Sequence, residues 1–505
     1  MSNQAPTPQN FRYDQTRPPA GLKPTLNTTP PAKAPEVPAP LETEGPAKLP
    51  DRLEKRRLLL REEMRQVVAE NVPISTEERS APEVVPEQPK ANSLDKYKAP
   101  LIEALSSPEM KSLQFGIIGT GQCGGRIAEQ FARFGYQVVA INTAEQDLAF
   151  IDIPYERKLV LPYALGGAGK DLLVGQTAAQ QNLPKIITLL EQSFEKVDQL
   201  VICTSGGGGS GAGSIIPLLQ AIGEVEKLAG LPIVVIYALP MNDEGAQAKS
   251  NAVKTLDRIA KVANDDIISS IIIVDNAKIQ EQYPSVSIKD FWRLANFDIV
   301  NPFNLFNTVS KCATPFDSLD PMDFANILAT GGCLIYGKIE LPISLDANGD
   351  PQIDEQVLAQ ALIRSAQEGT LAEGFDITQA IRVGVIVTGR EEILGKLPAM
   401  SINYAFNVLA EQIGQGCTIY KGIYADDTAE DRLTVHTIFA GLGLPAERVL
   451  RLKVEAEQAL QKIETKHKVK LTLDKDDTLT KSDPYSEMRQ RNTPMGRMID
   501  KRRVR

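Results

Sequence analysis

At 505 residues the chain exceeds one ordinary domain, so two folded units with tails are expected, and its net charge of −9 excludes a globally basic nucleic-acid binder. Five scattered cysteines (Cys123, Cys203, Cys312, Cys333, Cys417) with no CxxC pair, and only two histidines (His436, His467), argue against a zinc site and for free thiols in a reducing cytosol. No apolar run reaches the roughly 18 residues needed to span a bilayer, and no apolar signal core opens the chain, so a soluble, cytoplasmic protein is expected.

Residues 1–111 read as a disordered, proline-rich extension. The first 45 or so are rich in Pro, Thr, Ala and Gln and carry too few large apolar residues to fold. Asp51–Asn71 breaks that pattern with Leu53, Leu58, Leu59, Leu60, Met64, Val67 and Val68. Arg56 and Arg57 beside the leucines make it a charged amphipathic helix, N-capped by Asp51. Two readings stay open for it: a docking or membrane-surface helix, or one packed on the protein's own core. Glu77–Lys98 is again polar and proline-containing, a linker.

The folded body is expected from about Ser112. Leu113–Ile118 reads as a strand, Gly119–Gly125 as a glycine turn and Arg126–Phe134 as a helix, with Val138–Asn142 as the next strand. The GxGxxG spacing fits a dinucleotide turn equally well. The acidic ribose ligand of such a turn is missing, however, and Asn142-Thr143-Ala144 stands in its place. A second glycine cluster occupies Gly166–Lys170. The third is the strongest feature of the chain: Val201–Pro217 (VICTSGGGGSGAGSIIP) reads as strand, glycine loop and helix start. Such a loop brings backbone N–H groups and the positive end of a helix close to an anion. Three loops of this kind suggest several phosphates held at the carboxyl edge of a parallel sheet, hence a nucleoside triphosphate. No GxxxxGK[ST] is present, which argues against an ordinary P-loop enzyme.

These residues resemble the tubulin/FtsZ superfamily of filament-forming GTPases. Gly207–Gly213 with Pro217 is similar to the signature GGGTGTG…P, with Ser210 for threonine. Gly121-Gln122-Cys123-Gly124 resembles the tubulin form of the first loop, Asn142-Thr143 the NT(D) turn, and Gly167-Ala168-Gly169 the third phosphate loop. The resemblance implies GTP or GDP, with Mg2+, held by Gly121, Gln122, Cys123, Gly124, Asn142, Gly167, Ala168, Gly169, Gly207, Gly208, Gly209, Ser210 and Gly211. It further implies Glu244 of Pro240–Gly245 (PMNDEG) on the ribose and Asn276 near the sugar. Phe297 and Asn301, spaced i, i+4 on a helix, would stack on and read the guanine. Ala144 departs from the family aspartate, and Ala248 stands where FtsZ has an arginine, with Lys249 one residue away.

Leu305–Cys312 is expected to be the core helix, closing a GTP-binding domain at 112–312. The following segment, Asp320-Pro-Met-Asp-Phe-Ala-Asn326, resembles the NxDFAD loop of FtsZ. The resemblance implies Asp323, with Asp320 and Asn326, as the catalytic set acting on the next subunit's nucleotide; a loop aspartate capping the following helix is the alternative. Pro321 and Asn326 depart from the pattern. Strands at Leu334–Leu341, Arg382–Thr388 and Leu433–Phe439 and a helix at Glu355–Gln367 outline a smaller α/β assembly domain at 313–444. An amphipathic helix at 445–466 follows, like that of TubZ-type proteins. The tail, 467–505, holds seven basic residues against one acidic from Arg489 on, implying DNA, a DNA-bound adaptor or another anionic partner. The resulting expectation is an α/β protein, a Rossmann-like GTP-binding domain joined by a core helix to a second domain. It would polymerise with itself head to tail and hydrolyse GTP between subunits, for DNA partitioning or cell division. A non-polymerising nucleotide-binding regulator and a Rossmann oxidoreductase are the other classes.

Overall fold

The computed structural model describes residues 101–467 apart from 164, 369, 370 and 415; the expected helix at 51–71, the linker at 77–98 and the basic tail beyond 467 lie outside the described residues. The chain enters through α1 (Leu101–Ser106), inside the stretch expected to be disordered. Sequence periodicity could not reveal so short a helix. It is anchored by buried Leu101 and Ala104 and by polar bonds to a segment some 200 residues on. Lys111 Nζ, for instance, donates to Leu105 O at 2.9 Å and to Asn304 Oδ1 at 2.6 Å.

Six strands, β1 (Phe115–Thr120), β2 (Gln137–Asn142), β3 (Lys158–Val160), β4 (Gln199–Ser205), β5 (Ile233–Leu239) and β6 (Ser270–Asp275), run parallel in the order β3-β2-β1-β4-β5-β6. Their connections carry α2 (Gly121–Arg133), α3 (Glu145–Ala149), α4 (Leu172–Gln181), α5 (Leu183–Ser193), α6 (Ser210–Glu224) and α7 (Ala246–Asn264). β1, β5 and β6 are buried along their whole length, as expected for parallel strands covered on both faces. Chain direction across the sheet reverses between β1 and β4, the switch point at which doubly wound sheets open a crevice.

After α8 (Asn276–Gln282) comes the long α9 (Ile288–Val309). The core helix therefore starts 17 residues before the expected Leu305 and ends at Val309 rather than Cys312. Asn304, Asn307 and Thr308 are buried polar residues within it and hide its periodicity from a hydrophobic reading. The next helix is α10 (Pro321–Leu328), whose Phe324 ring lies 6.3 Å from Phe115, 5.6 Å from Phe303 and 6.1 Å from Phe306. Ser270, the first residue of β6, donates to Leu328 O. Both contacts fix α10 at the amino-terminal edge of the parallel sheet.

The second half contributes β7 (Cys333–Pro342), the hairpin β8 (Ser344–Leu345) and β9 (Pro351–Gln352), α11 (Glu355–Glu368), β10 (Arg382–Gly389), α12 (Glu391–Leu394), α13 (Ala399–Ile413), β11 (Thr418–Ala425), β12 (Arg432–Leu442) and α14 (Ala446–His467). β7 pairs with β6 through Ile271↔Cys333 and Ile272↔Leu334, so one ten-stranded sheet, β11-β10-β12-β7-β6-β5-β4-β1-β2-β3, crosses both halves. Among the described residues no helix is long and apolar enough to cross a membrane.

His436 sits within β12 opposite Lys338, buried, and loss of hydration pushes its imidazole down to about 3, with Lys338 acting in the same direction and Glu340 opposing. The unfolded chain binds that proton near pH 6.5 and the folded chain does not. Stability from this residue is therefore fully present above about pH 6.5 and lost as pH falls toward 3. Melting temperatures measured from pH 7 to pH 4 should fall less steeply for His436→Gln than for the parent chain. Identical slopes would remove His436 from the acid response.

Candidate functional site

At the carboxyl ends of β1, β2, β4, β5 and β6 the connecting loops enclose a cavity of about 720 Å³. That volume lies in the range of small-molecule sites. Its floor is glycine because backbones meet there. Gly121, at φ +69°, adopts a conformation that side chains rarely take, and a Cβ on it would lie 2.8 Å from Gly211 N. A Cβ on Gly209 would lie 2.7 Å from Asp171 O and from Ala168 Cβ, and one on Gly211 would lie 2.8 Å from Thr120 O. The three glycine loops thus pack on one another. At Gly208 a Cβ would meet no protein atom within 4 Å, so this backbone faces the open cavity. Helix α6 begins at Ser210, directly behind Gly206–Gly209, and directs its N-terminus at the same space.

Of the residues singled out from sequence, Gly121, Gln122, Cys123, Asn142, Gly167, Ala168, Gly169, Gly207, Gly208, Gly209, Ser210, Gly211, Glu244 and Asn276 all line this one cavity. Asn142 Nδ2 and Gln122 Nε2 both donate to Asp147, at 2.9 and 3.1 Å, fixing both amides against one carboxylate. Thr143 Oγ1 and Ser210 Oγ share a hydrogen bond that ties the turn after β2 to the start of α6. Glu244 Oε1 accepts from Met241 N at 3.1 Å, which closes the Pro240–Gly245 loop on itself. Burial, reinforced by the Glu244 carboxylate, pushes the Cys123 thiol up to about 11, so it stays protonated and serves as wall rather than nucleophile.

Three expected ligands stand elsewhere. Gly124 is not in the lining; a Cβ there would lie 2.0 Å from Cys203 O, so its glycine serves the close approach of α2 to β4. Phe297 and Asn301 share α9 but neither lines the cavity, and the Phe297 ring packs 6.1 Å from Phe134. The aromatic residue that does line it is Trp292, held edge-on by Phe291 at 5.0 Å with the Arg126 guanidinium 6.0 Å from its ring. Because α9 starts at Ile288, Trp292 sits in the turn nearest the loops. Phe297 is about 140° round the axis and about 7.5 Å further along it. The signal available in sequence was that Trp292 is the chain's only tryptophan. Asp147, Lys170, Asp243 and Met241 also line the cavity and were not among the expected ligands. Lys249 does not substitute for a phosphate-facing arginine: its ammonium is bound to Glu455 Oε2 at 2.7 Å and Asn242 O at 2.8 Å.

Asp320 and Asp323 are remote from the cavity. They form the capping box of α10: Asp320 Oδ1 accepts from Asp323 N at 2.9 Å and Asp323 Oδ2 accepts from Asp320 N at 3.1 Å. Pro321 takes the first helical position, where its missing N–H costs nothing. Loss of hydration and the Asp320 carboxylate raise the Asp323 carboxyl above its ordinary value, against the hydrogen bond from Asp320 N–H. Trp292 at one end of α9 and Val309 at the other are separated by about 26 Å of helix, so Asp323 and the cavity occupy opposite edges of one subunit.

Comparison with known proteins agrees with this geometry. The description "Tubulin/FtsZ family, GTPase domain" matches residues 114–284, and "Tubulin/FtsZ-like protein TubZ-like, C-terminal domain" matches residues 306–453. The tubulin-like protein CetZ of Thermococcus kodakarensis is 30% identical over 370 residues, covering 70% of this chain and 91% of its own. The tubulin-like protein TubZ of Bacillus cereus is 26% identical over 380 residues, covering 70% and 86%. Among solved structures, a GTPγS-form protofilament of TubZ from Bacillus thuringiensis serovar israelensis superposes with a TM-score of 0.60 at 23% identity, over 71% of this chain and 94% of that one. The fold, the loops that build the cavity and a relative matched over nine-tenths of its length agree: the chain belongs to the tubulin/FtsZ family of GTPases.

Proposed function

We propose that the protein binds GTP and GDP in this cavity, assembles head to tail with copies of itself, and hydrolyses GTP at the junction between subunits. The observation that carries the reading is the separation of parts. The phosphate cradle lies at the carboxyl edge of the sheet and the acidic cap of α10 at the amino edge, so a head-to-tail contact brings the two together. Asp323 is then the group that takes the proton of the attacking water, with Asp320 and Asn326 beside it; phosphoryl transfer needs mainly such positioning.

Inside the cavity, the glycine N–H groups and the start of α6 hold phosphates, Glu244 and Asn276 face the sugar, and Trp292 stacks on the base. A Mg2+ ion fits this donor set. Asp147, already oriented by Asn142 and Gln122, would be its protein carboxylate, with phosphate and water supplying the other ligands. A CetZ- or TubZ-like filament serving DNA partitioning or cell division is the corresponding cellular role, with the basic tail as the contact to DNA or an acidic adaptor.

Trp292 gives a direct test. As the only tryptophan, it should report GTP or GDP binding by a change in intrinsic fluorescence. Trp292→Ala should weaken binding by about 1–3 kcal/mol, the usual worth of base stacking, while Phe297→Ala leaves it within about twofold. Equal affinities for both variants and the parent would return the base to another wall.

A second reading, a nucleotide-binding regulator that does not polymerise, is favoured by one observation: both carboxylates of α10 are already engaged in capping. Light scattering on addition of GTP separates the two, since only the first reading produces polymer.

A further inference from the structure

The C-terminal helix α14 reaches the sugar-side wall of the cavity at three points. Arg448, 4% exposed, donates Nε to Asp275 Oδ2 at 2.6 Å and Nη2 to Asp275 Oδ1 at 3.0 Å. The same Nη2 lies 3.4 Å from Pro240 O, the first residue of the Pro240–Gly245 loop. Asp275 also accepts from Ala277 N at 3.1 Å, capping α8, whose first residue is the cavity-lining Asn276. Two turns further along α14, Glu455 holds Lys249 at 2.7 Å, and Lys249 donates to Asn242 O at 2.8 Å in the middle of that loop. Arg448 and Glu455 are seven residues apart, hence on one helix face about 10.5 Å from each other. One rigid element therefore grips the start of the loop, its middle and the cap of α8. Arg448, Lys249 and Glu455 themselves lie outside the cavity lining.

We propose that Arg448, Lys249 and Glu455 are positioning residues of the nucleotide site, through which docking of α14 and nucleotide affinity are thermodynamically linked. This rests on the reading of the cavity as a guanine-nucleotide site. An undocked α14 frees Pro240 O and takes Glu455 from Lys249, which holds Asn242 O, and the loop loses the geometry that points Glu244 inward. By reciprocity, a bound nucleotide that fixes the loop tightens α14 to the same extent.

The test uses the full chain and the partly exposed pair, since Arg448 variants leave a buried carboxylate unpaired and are expected to compromise folding. GDP affinity is measured for Lys249→Met, Glu455→Gln, the double variant and Lys249→Arg, together with melting temperature and amide exchange over residues 446–462 with and without GDP. The expected result is a loss of affinity of about fivefold to thirtyfold in each single variant, no further loss in the double, and recovery in Lys249→Arg, at a melting temperature within a few degrees of the parent. In the parent, GDP should slow exchange in α14, and in Lys249→Met that slowing should shrink. If the parent binds GDP and the variants bind it equally, or GDP leaves α14 exchange unchanged, the positioning role is wrong while the nucleotide site stands. If the parent binds no guanine nucleotide, the reading of the cavity falls and this linkage with it.

Discussion

Replacing Gly208 with leucine is expected to abolish nucleotide binding and leave the protein folded. Gly208 lies outside the left-handed region, and a Cβ on it meets no protein atom within 4 Å, so a larger side chain neither strains the backbone nor disturbs the packing. The isobutyl group projects instead into the open cavity, the space that phosphates need. A loss of at least about 100-fold in GTP and GDP affinity, or about 2.7 kcal/mol, is expected, with stability changed by no more than about 0.5 kcal/mol. Gly209→Leu is the contrasting variant. Its Cβ would fall against Asp171 O and Ala168 Cβ, so it should lose stability as well as binding. Calorimetric titration of both variants, with their melting curves, checks the pair. Parent-like affinity in Gly208→Leu would move the phosphates elsewhere.

Asp323→Asn is expected to bind GTP normally and to hydrolyse it at least about 100-fold more slowly, the usual contribution of a positioned base. Asparagine is the right substitution because of the capping box. Its Oδ1 still accepts from Asp320 N–H, so α10 keeps the reciprocal half of the capping box that alanine would remove, while the proton acceptor is lost. Polymer should therefore still form and persist longer in the GTP state. Single-turnover hydrolysis beside pelleting measures both, and normal turnover in this variant would remove Asp323 from the chemistry.

Much of the site was legible because its constraint is local. Wherever two backbones must touch, as at Gly121 against Gly211, only glycine fits, and the requirement is written in the chain itself. Strands β1, β4, β5 and β6 are buried enough to read as apolar runs. What escaped depends on distant partners or on where a helix begins. Trp292 replaces Phe297 at the cavity because α9 starts at Ile288, behind the Ser287 cap, and buried asparagines further along break the apolar periodicity that would have extended the helix back to it. Asp147 acquires its place from two amides, one of them 25 residues away. Lys249 is turned from the phosphates by Glu455, 206 residues on, and no local pattern announces such a pair. α1 likewise exists only because Lys111 and Leu105 meet Asn304 of α9.

In the proposed function the hydrolytic site is assembled from two subunits, the cradle of one and the acidic cap of the next. That assembly is tested most directly by measuring GTP hydrolysis per subunit across a dilution series at saturating nucleotide, with binding followed in the same samples through Trp292. Full occupancy is expected at every concentration, with a specific activity that rises steeply with protein and vanishes where no polymer forms. A specific activity independent of concentration would mean that one subunit holds the whole site, and would contradict it.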